Sequence, residues 1–152
     1  MATSAQRVFT PRIRNNQGNN FIGTIDGVAY KANSFRLTEN SLPGTIGPHW
    51  EARVHQRAVD FSYKEISIYI PKDTIDGTHP LNPATKIIIS YVDYSDTQNP
   101  IAHKSVGGNI DFTLDKDAKV FSGNIDAVMD SNGGDGGETF KIEVENFLIL
   151  GT

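Results

Sequence analysis

The chain has 152 residues, of which 38% are hydrophobic and 21% charged, and its formal net charge is -4. These are the proportions of one globular domain with a single core; no apolar run approaches the ~20 residues that a bilayer-crossing helix needs, and without clustered Lys or Arg the acidic balance argues against nucleic acid as a partner. The absence of cysteine removes disulfides, thiolate metal sites and cysteine nucleophiles, and leaves the redox compartment open.

Residues 1–19 are polar and carry Pro11 and an Asn/Gln/Gly tract, which predicts a flexible or irregular arm anchored at most by Val8, Phe9 and Ile13. A single β domain is expected over residues 20–152. The N-terminal stretch has no apolar h-region, so the expectation is a cytoplasmic protein or an exported one lacking its leader.

From Phe21 onward the pattern is β: short runs rich in Ile, Val, Phe, Tyr and Thr, separated by Gly, Pro, Asn and Asp. Strands are expected over 20–25, 28–37, 49–56, 64–70, 85–94, 108–114, 119–129 and 139–149. Between the first two, Asp26-Gly27 suits a tight type I′ turn, whose central residues need positive φ. The same TIDG returns at 74–77, and GNID occurs at both 108–111 and 123–126, echoes too short to define a repeat architecture. Ile66, Ile68 and Ile70 alternate with Ser67 and Tyr69, as a half-buried antiparallel strand requires. In KIIISYVDY, by contrast, Ile87, Ile89 and Tyr91 share one face while Ile88, Val92 and Tyr94 share the other. That strand is expected to be central, with both faces covered or with one meeting a partner.

The last three strands can be placed in register. A hairpin about loop 115–118 puts Phe112 opposite Phe121, an aromatic cross-strand pair. Pairing Met129 with Phe140, Ala127 with Ile142 and Ile125 with Val144 keeps those side chains on one face and makes 130–139 the connecting loop. Beyond Val144 the apolar phase slips to Phe147 and Ile149, which predicts a β-bulge near Glu145 and Asn146. The fold class is therefore all-β: an antiparallel two-sheet sandwich or flattened barrel of about eight strands, with a C-terminal three-strand meander.

Loop DSNGGDGGE at 130–138 is the main metal candidate. A calcium loop places oxygen ligands at positions 1, 3 and 5, Gly at 6 and a bidentate Glu at 12. Asp130 and Asn132 fit the first two, but Gly134 takes position 5, Lys141 takes position 12, and no helices flank the loop. A looser calcium site could still use Asp130, Asn132, Asp135 and Glu138; the competing reading is a generous hairpin loop and no cofactor at all. The histidines, His49, His55, His79 and His103, lack the close spacing of a helical zinc motif and read as surface or turn residues. The acid pairs Asp93/Asp96 and Asp115/Asp117 suit a glycosidase only if brought together, and otherwise form Asx turns. Nucleophile-elbow, phosphate-loop and dinucleotide motifs are missing, so no catalytic residues are assigned and an enzyme is not expected. The single Trp, Trp50, follows SLPGTIGPH; with Arg53, Tyr91 and Tyr94 it forms the expected ligand-binding surface, although a lone Trp at a strand start is more often core.

The segments FIGTIDGVAYKA, ISIYIP followed by DGTHPL, GGNIDFT, and VFSGNIDA followed by FKIEVENFLI occur in an order that resembles a diffuse family of small bacterial β-rich domains of unknown function, many of them exported lipoproteins of the DUF6252 kind. The resemblance spans residues 21–149 and implies a fold, not catalytic residues. A lipoprotein leader and its cysteine are not part of this sequence, which leaves membrane anchoring without support from the resemblance. The expected function is a non-catalytic binding module of bacterial type with a protein or glycan ligand. The alternatives are a carbohydrate-binding domain, calcium-assisted or not, and a small glycosidase or other hydrolase.

Overall fold

The computed structural model describes residues 18–42, 47–95, 98–131 and 138–151. The elements in these residues are ten strands: β1 (Ile22–Ile25), β2 (Val28–Lys31), β3 (Ser34–Leu42), β4 (Gly47–Arg57), β5 (Tyr63–Pro71), β6 (Gly77–Pro80), β7 (Ile88–Asp93), β8 (Ile101–Asp115), β9 (Val120–Asp130) and β10 (Thr139–Leu150). Hydrogen bonding runs along one path, β2-β1-β10-β9-β8-β7-β5-β4-β3, with β6 attached to β8. All pairings are antiparallel, and the sheet curls into a half-barrel.

The all-β expectation holds, but two separate sheets are not confirmed. The reason lies in β8, which is 15 residues long. Its first residues, Ile101 to Lys104, pair with β7; from Ser105 it pairs with β9, and Asn109 to Phe112 take β6 on the opposite edge. A register shift between Ser105 and Gly107 lets the strand bend instead of ending, so one strand serves both halves. Alternation expected only from residue 108 onward thus misses the first part of β8, and β6, with its terminal Pro80, gives no alternation to read.

The strand expected over 28–37 is also two strands. Asp26 and Gly27 have φ of 52° and 78°, so the predicted tight turn closes the β1–β2 hairpin. Then Ala32 N donates to Phe21 O at 3.0 Å, and Asn33 N donates to His55 O at 2.8 Å. Between these two residues the chain leaves the edge of β1 and joins the edge of β4. Strands β2 and β3, at opposite ends of the sheet path, are therefore consecutive in sequence and close one corner of the half-barrel. No Gly or Pro between Val28 and Leu37 marks this change of partner; the poor strand formers Ala32 and Asn33 are its signal in the sequence.

In the C-terminal meander, Met129 faces Phe140, Ala127 faces Ile142, Ile125 faces Val144, and the register shifts between Val144 and Phe147, all as the apolar phase predicts. The hairpin before it needs a correction. Asp115 stays in the ladder opposite Val120, and its Oδ1 accepts from Asp117 N (3.1 Å) and Ala118 N (2.9 Å), so the turn is 116–119 with Lys119 at φ 58°. Leu114 consequently faces Phe121, and Phe112 faces Gly123. The slide is even, which preserves the faces, and the two Phe rings still meet diagonally at 5.8 Å.

The GNID echo has a structural meaning. The two copies pair with each other: Asn109 faces Asp126, Ile110 faces Ile125, and Asp111 faces Asn124. Gly108 (φ 88°) lies against the backbone carbonyl of Asp126, and Gly123 (φ 156°) against that of Asp111. Each glycine thus sits where a Cβ would strike the carbonyl of the other copy's Asp, a close backbone approach that no side chain permits.

Asn19 and Asn20 are already tied to β10, Asn20 through paired backbone bonds with Leu148 (2.8 Å each) and Asn19 Oδ1 by accepting from Leu150 N at 2.8 Å. The rest of the expected arm, with Val8, Phe9 and Ile13, lies outside the described residues. Among the described residues no helix is long and apolar enough to cross a membrane.

Candidate functional site

Each strand presents one face to the concavity of the half-barrel. On β5 that face carries Ile66, Ile68 and Ile70, all almost fully buried, and on β7 it carries Ile89 and Tyr91. At the start of β5 the apolar series gives way to Lys64, in phase with the isoleucines, and a cleft of about 310 Å³ lies beside it. Its walls come from Tyr30 on β2, Lys64 on β5, Tyr91 on β7, His103 on β8 and Phe140 on β10. The hairpin residues Ile25, Asp26, Val28 and Ala29, with Ser131, form the rim.

These side chains are held by one another. Tyr91 and His103 are directly opposite in the β7–β8 ladder, and their rings stack at 5.6 Å and 16°. Phe140 meets both edge-on, at 6.1 Å from Tyr91 and 4.9 Å from His103. His103 Nδ1 lies 2.8 Å from Asp130 O; a carbonyl only accepts, so Nδ1 carries the proton, which fixes the tautomer of the neutral ring. Asp130, itself buried, accepts from Lys104 N at 3.3 Å through Oδ1. Tyr30 Oη donates to Lys64 O at 2.9 Å. Burial, with Tyr91 and Glu65 nearby, pushes the Tyr30 phenol well above its ordinary pKa, and burial, with Asp93 nearby, does the same for Tyr91. Both rings therefore stay neutral across ordinary pH.

The residues expected to form a recognition surface are divided between the two faces of the sheet. Trp50 is 3% exposed and belongs to the core, so it offers no face for stacking on a ligand. Tyr91 is on the concave side in the cleft. Arg53 and Tyr94 are on the convex side, in a different cluster. There Arg53 forms an ion pair with Glu51, and its Nε is 3.9 Å from Glu65 Oε2, which lies 2.8 Å from His55 Nε2. Tyr94 stacks on Tyr63 at 4.4 Å, and Arg57 lies over the Tyr63 ring at 5.4 Å. The two-faced strand KIIISYVDY is central, as expected: Ile87, Ile89 and Tyr91 are buried, while Ile88, Val92 and Tyr94 on the convex face are only partly covered.

Two of the four metal candidates lie within the described residues. Asp130 is buried and engaged by Lys104 and His103, Glu138 is exposed before β10, and Asn132 and Asp135 lie outside the described residues. Among the described residues no group of three or more His, Asp or Glu is placed to hold a metal. The histidines are separated by their partners: His49 Nδ1 on Gly47 O, His55 on Glu65, His79 Nε2 on Ile75 O, and His103 on Asp130. Asp93 and Asp115 both close Asx turns, onto Ser95 and onto Asp117 and Ala118; Asp96 lies outside the described residues.

Tyr30, Lys64, His103 and Phe140 were not among the expected site residues. A signal for Lys64 was present: a lysine in phase with three buried isoleucines breaks the polar-out pattern of its strand. No family model matches the chain, and neither a curated protein nor a solved structure matches it.

Proposed function

We propose that the chain is a non-catalytic binding module that takes a small ligand in the concave cleft. The observation that carries this reading is the convergence of Tyr30, Lys64, Tyr91, His103 and Phe140, from five different strands, on one opening whose lining mixes aromatic rings with polar side chains. The halves of the sheet on either side of β8 would act as the two layers of a flattened barrel. A relationship to the DUF6252-like bacterial domains belongs to this proposal at the level of fold. A fragment screen followed by amide shifts of the labelled chain tests it. Hits should cluster around Ala29, Tyr30, Lys64, Tyr91, His103 and Phe140 and leave unchanged in structure; hits that map to the convex face, or chemical turnover of bound compounds, would overturn it.

A second reading, carbohydrate binding, is favoured by the polar rim groups Asp26 and Ser131 beside the Tyr91 and Phe140 rings. It requires glycan-array binding that Phe140→Ala weakens. The same array run with and without calcium would show whether the ion takes part.

A further inference from the structure

We propose that the chain associates with copies of itself head to tail, the tip of the β4–β5 hairpin in one copy seating in a pocket between β7 and β8 of the next. The tip carries Val59, which is 100% exposed, and Phe61, which is 87% exposed. It is a fixed turn: Ala58 N donates to Ser62 O at 2.9 Å, Phe61 N donates to Ala58 O at 3.1 Å, and Asp60 Oδ1 accepts from Ser62 N at 3.0 Å and from Ser62 Oγ at 2.6 Å. The turn holds Phe61 at φ 71°, a left-handed backbone that suits Gly or Asn and disfavours a bulky side chain. Neither the core nor the turn has a use for a phenylalanine there. A partner that covers the ring does.

The chain carries a matching pocket. Strand β8 pairs with β7 up to Lys104 opposite Ser90, and Ser105 Oγ then accepts from Ile89 N at 3.0 Å before β8 turns to β9. Where the strands part lies a pocket of about 380 Å³, with Pro83, Ile88 and the half-exposed Val106 among its walls. Lys86 and Lys104 also line it, both are exposed, and none of the described lining residues is acidic, so its charge is opposite to that of Asp60 between the two apolar side chains of the tip. The two features lie at opposite ends of the same strands. The tip is beyond Lys64, level with Asp93, and the pocket is beside Ile88, level with Tyr69, about 17 Å further along. A tip therefore does not reach the pocket of its own copy. A contact from one end to the other is heterologous and leaves a free tip and a free pocket on every pair, so association continues beyond two copies. Resting on one hairpin tip, the interface is small and the association weak.

Sedimentation velocity of the full chain tests this. Between about 10 μM and about 1 mM the weight-average sedimentation coefficient should rise with concentration, past the value for two copies. Phe61→Asn should weaken association at least about tenfold while leaving the urea midpoint unchanged or higher, because Asn accepts the positive φ; Phe61→Gly should do the same. Val106→Glu, at an exposed position, should weaken it from the other side by placing an acid against Asp60. The decisive arm mixes Phe61→Asn, which keeps its pocket, with Val106→Glu, which keeps its tip: each alone stays monomeric, and together they should form a one-to-one pair and nothing larger. A wild-type chain that is monomeric at about 1 mM, a dimer that stops at two copies, association that survives both Phe61 variants, or a mixture that does not pair would overturn the proposal. A monomeric chain that instead floats with phosphatidylcholine–phosphatidylglycerol vesicles would assign the tip to a lipid surface.

Discussion

In the meander of β8, β9 and β10, one face carries the core and the other is charged and exposed, whereas in β4, β5 and β7 the convex face carries a second layer of contacts. In the meander, Ile110, Phe112, Phe121, Ile125, Met129, Ile142 and Val144 are buried, while Asp111, Asp126, Lys141 and Glu143 face solvent, joined by little more than the exposed Lys141–Asp126 pair at 3.1 Å. Across β4 and β5 the convex side instead links Asn40, Glu51, Arg53, Glu65 and His55, with Tyr63 and Tyr94 stacked beside them. One region is held from a single side by packing and close backbone approach. The other is tied on both sides, and this lets Glu65 be held by His55 on the convex face while its neighbour Lys64 faces the cleft.

If the meander depends on its buried face, the largest loss should come from Phe121→Ala. The ring is 1% exposed, packs on Phe147 at 4.9 Å and Phe112 at 5.8 Å, and its removal should cost about 3–5 kcal/mol. A cost below about 1 kcal/mol in urea denaturation would break the comparison.

Close backbone approach can be isolated from packing by alanine at neighbouring glycines. Gly108→Ala and Gly123→Ala place a methyl against the carbonyls of Asp126 and Asp111 at positive φ, and each should cost about 2–4 kcal/mol. Gly107→Ala is the control. Its Cβ would meet only Val128, at an ordinary 3.6 Å, and should cost under about 1 kcal/mol. Equal losses at Gly107 and Gly108 would show that the paired GNID motifs impose no special constraint.

The same contrast explains what could be read from the residues. Strict alternation with one buried face made β9 and β10 legible down to the register at Met129–Phe140 and the bulge after Val144, because a slip of one residue would turn every apolar side chain outward. The β8–β9 register was missed by an even slide, which alternation does not detect. Paths that depend on distant partners were not legible: the new partner taken after Ala32–Asn33, the sharing of β8, and the convergence of Tyr30, Lys64, His103 and Phe140. Propensity and periodicity describe a strand's faces and say nothing of which strand lies beside it. Trp50 misled for a related reason, since its residue type suits a ligand as well as a core, and only the β4 alternation with Ala52 and Val54 distinguishes them.

Alkaline titration should distinguish the buried tyrosines from the exposed network. Tyr91 has a folded-state pKa above its ordinary 10.0, so as pH rises through that value the unfolded chain loses its proton while the folded chain keeps it. Stability from this source is complete below about pH 10 and declines above it. Tyr91→Phe should flatten the decline in denaturation midpoints measured from pH 8 to pH 11, and an unchanged slope would contradict the burial of the phenol. Arg53→Met, on the convex side, should do less at neutral pH. Its side chain is 33% exposed, and solvent screening should keep the cost of losing Glu51 and Glu65 under about 1 kcal/mol.

The smallest effect is expected from calcium, and it bears on the end of the meander where the two regions meet. Asp130 would be the first ligand of any site in the 130–138 loop. Its Oδ1 already accepts from Lys104 N, its carbonyl already accepts from His103 Nδ1, and Nδ1 lies 3.9 Å from the same carboxylate oxygen. A calcium ion drawing on Asp130 would compete with contacts that join β9 to β8 and orient the His103 ring in the cleft. Millimolar calcium should therefore leave the melting temperature nearly unchanged, whereas a site at a hundred times its dissociation constant would add about 2.7 kcal/mol. A rise of several degrees that Glu138→Gln abolishes would show that the loop binds the ion without giving up those contacts. A rise accompanied by shifts at His103 and Tyr91 would show that it binds at their expense, coupling the loop to the cleft.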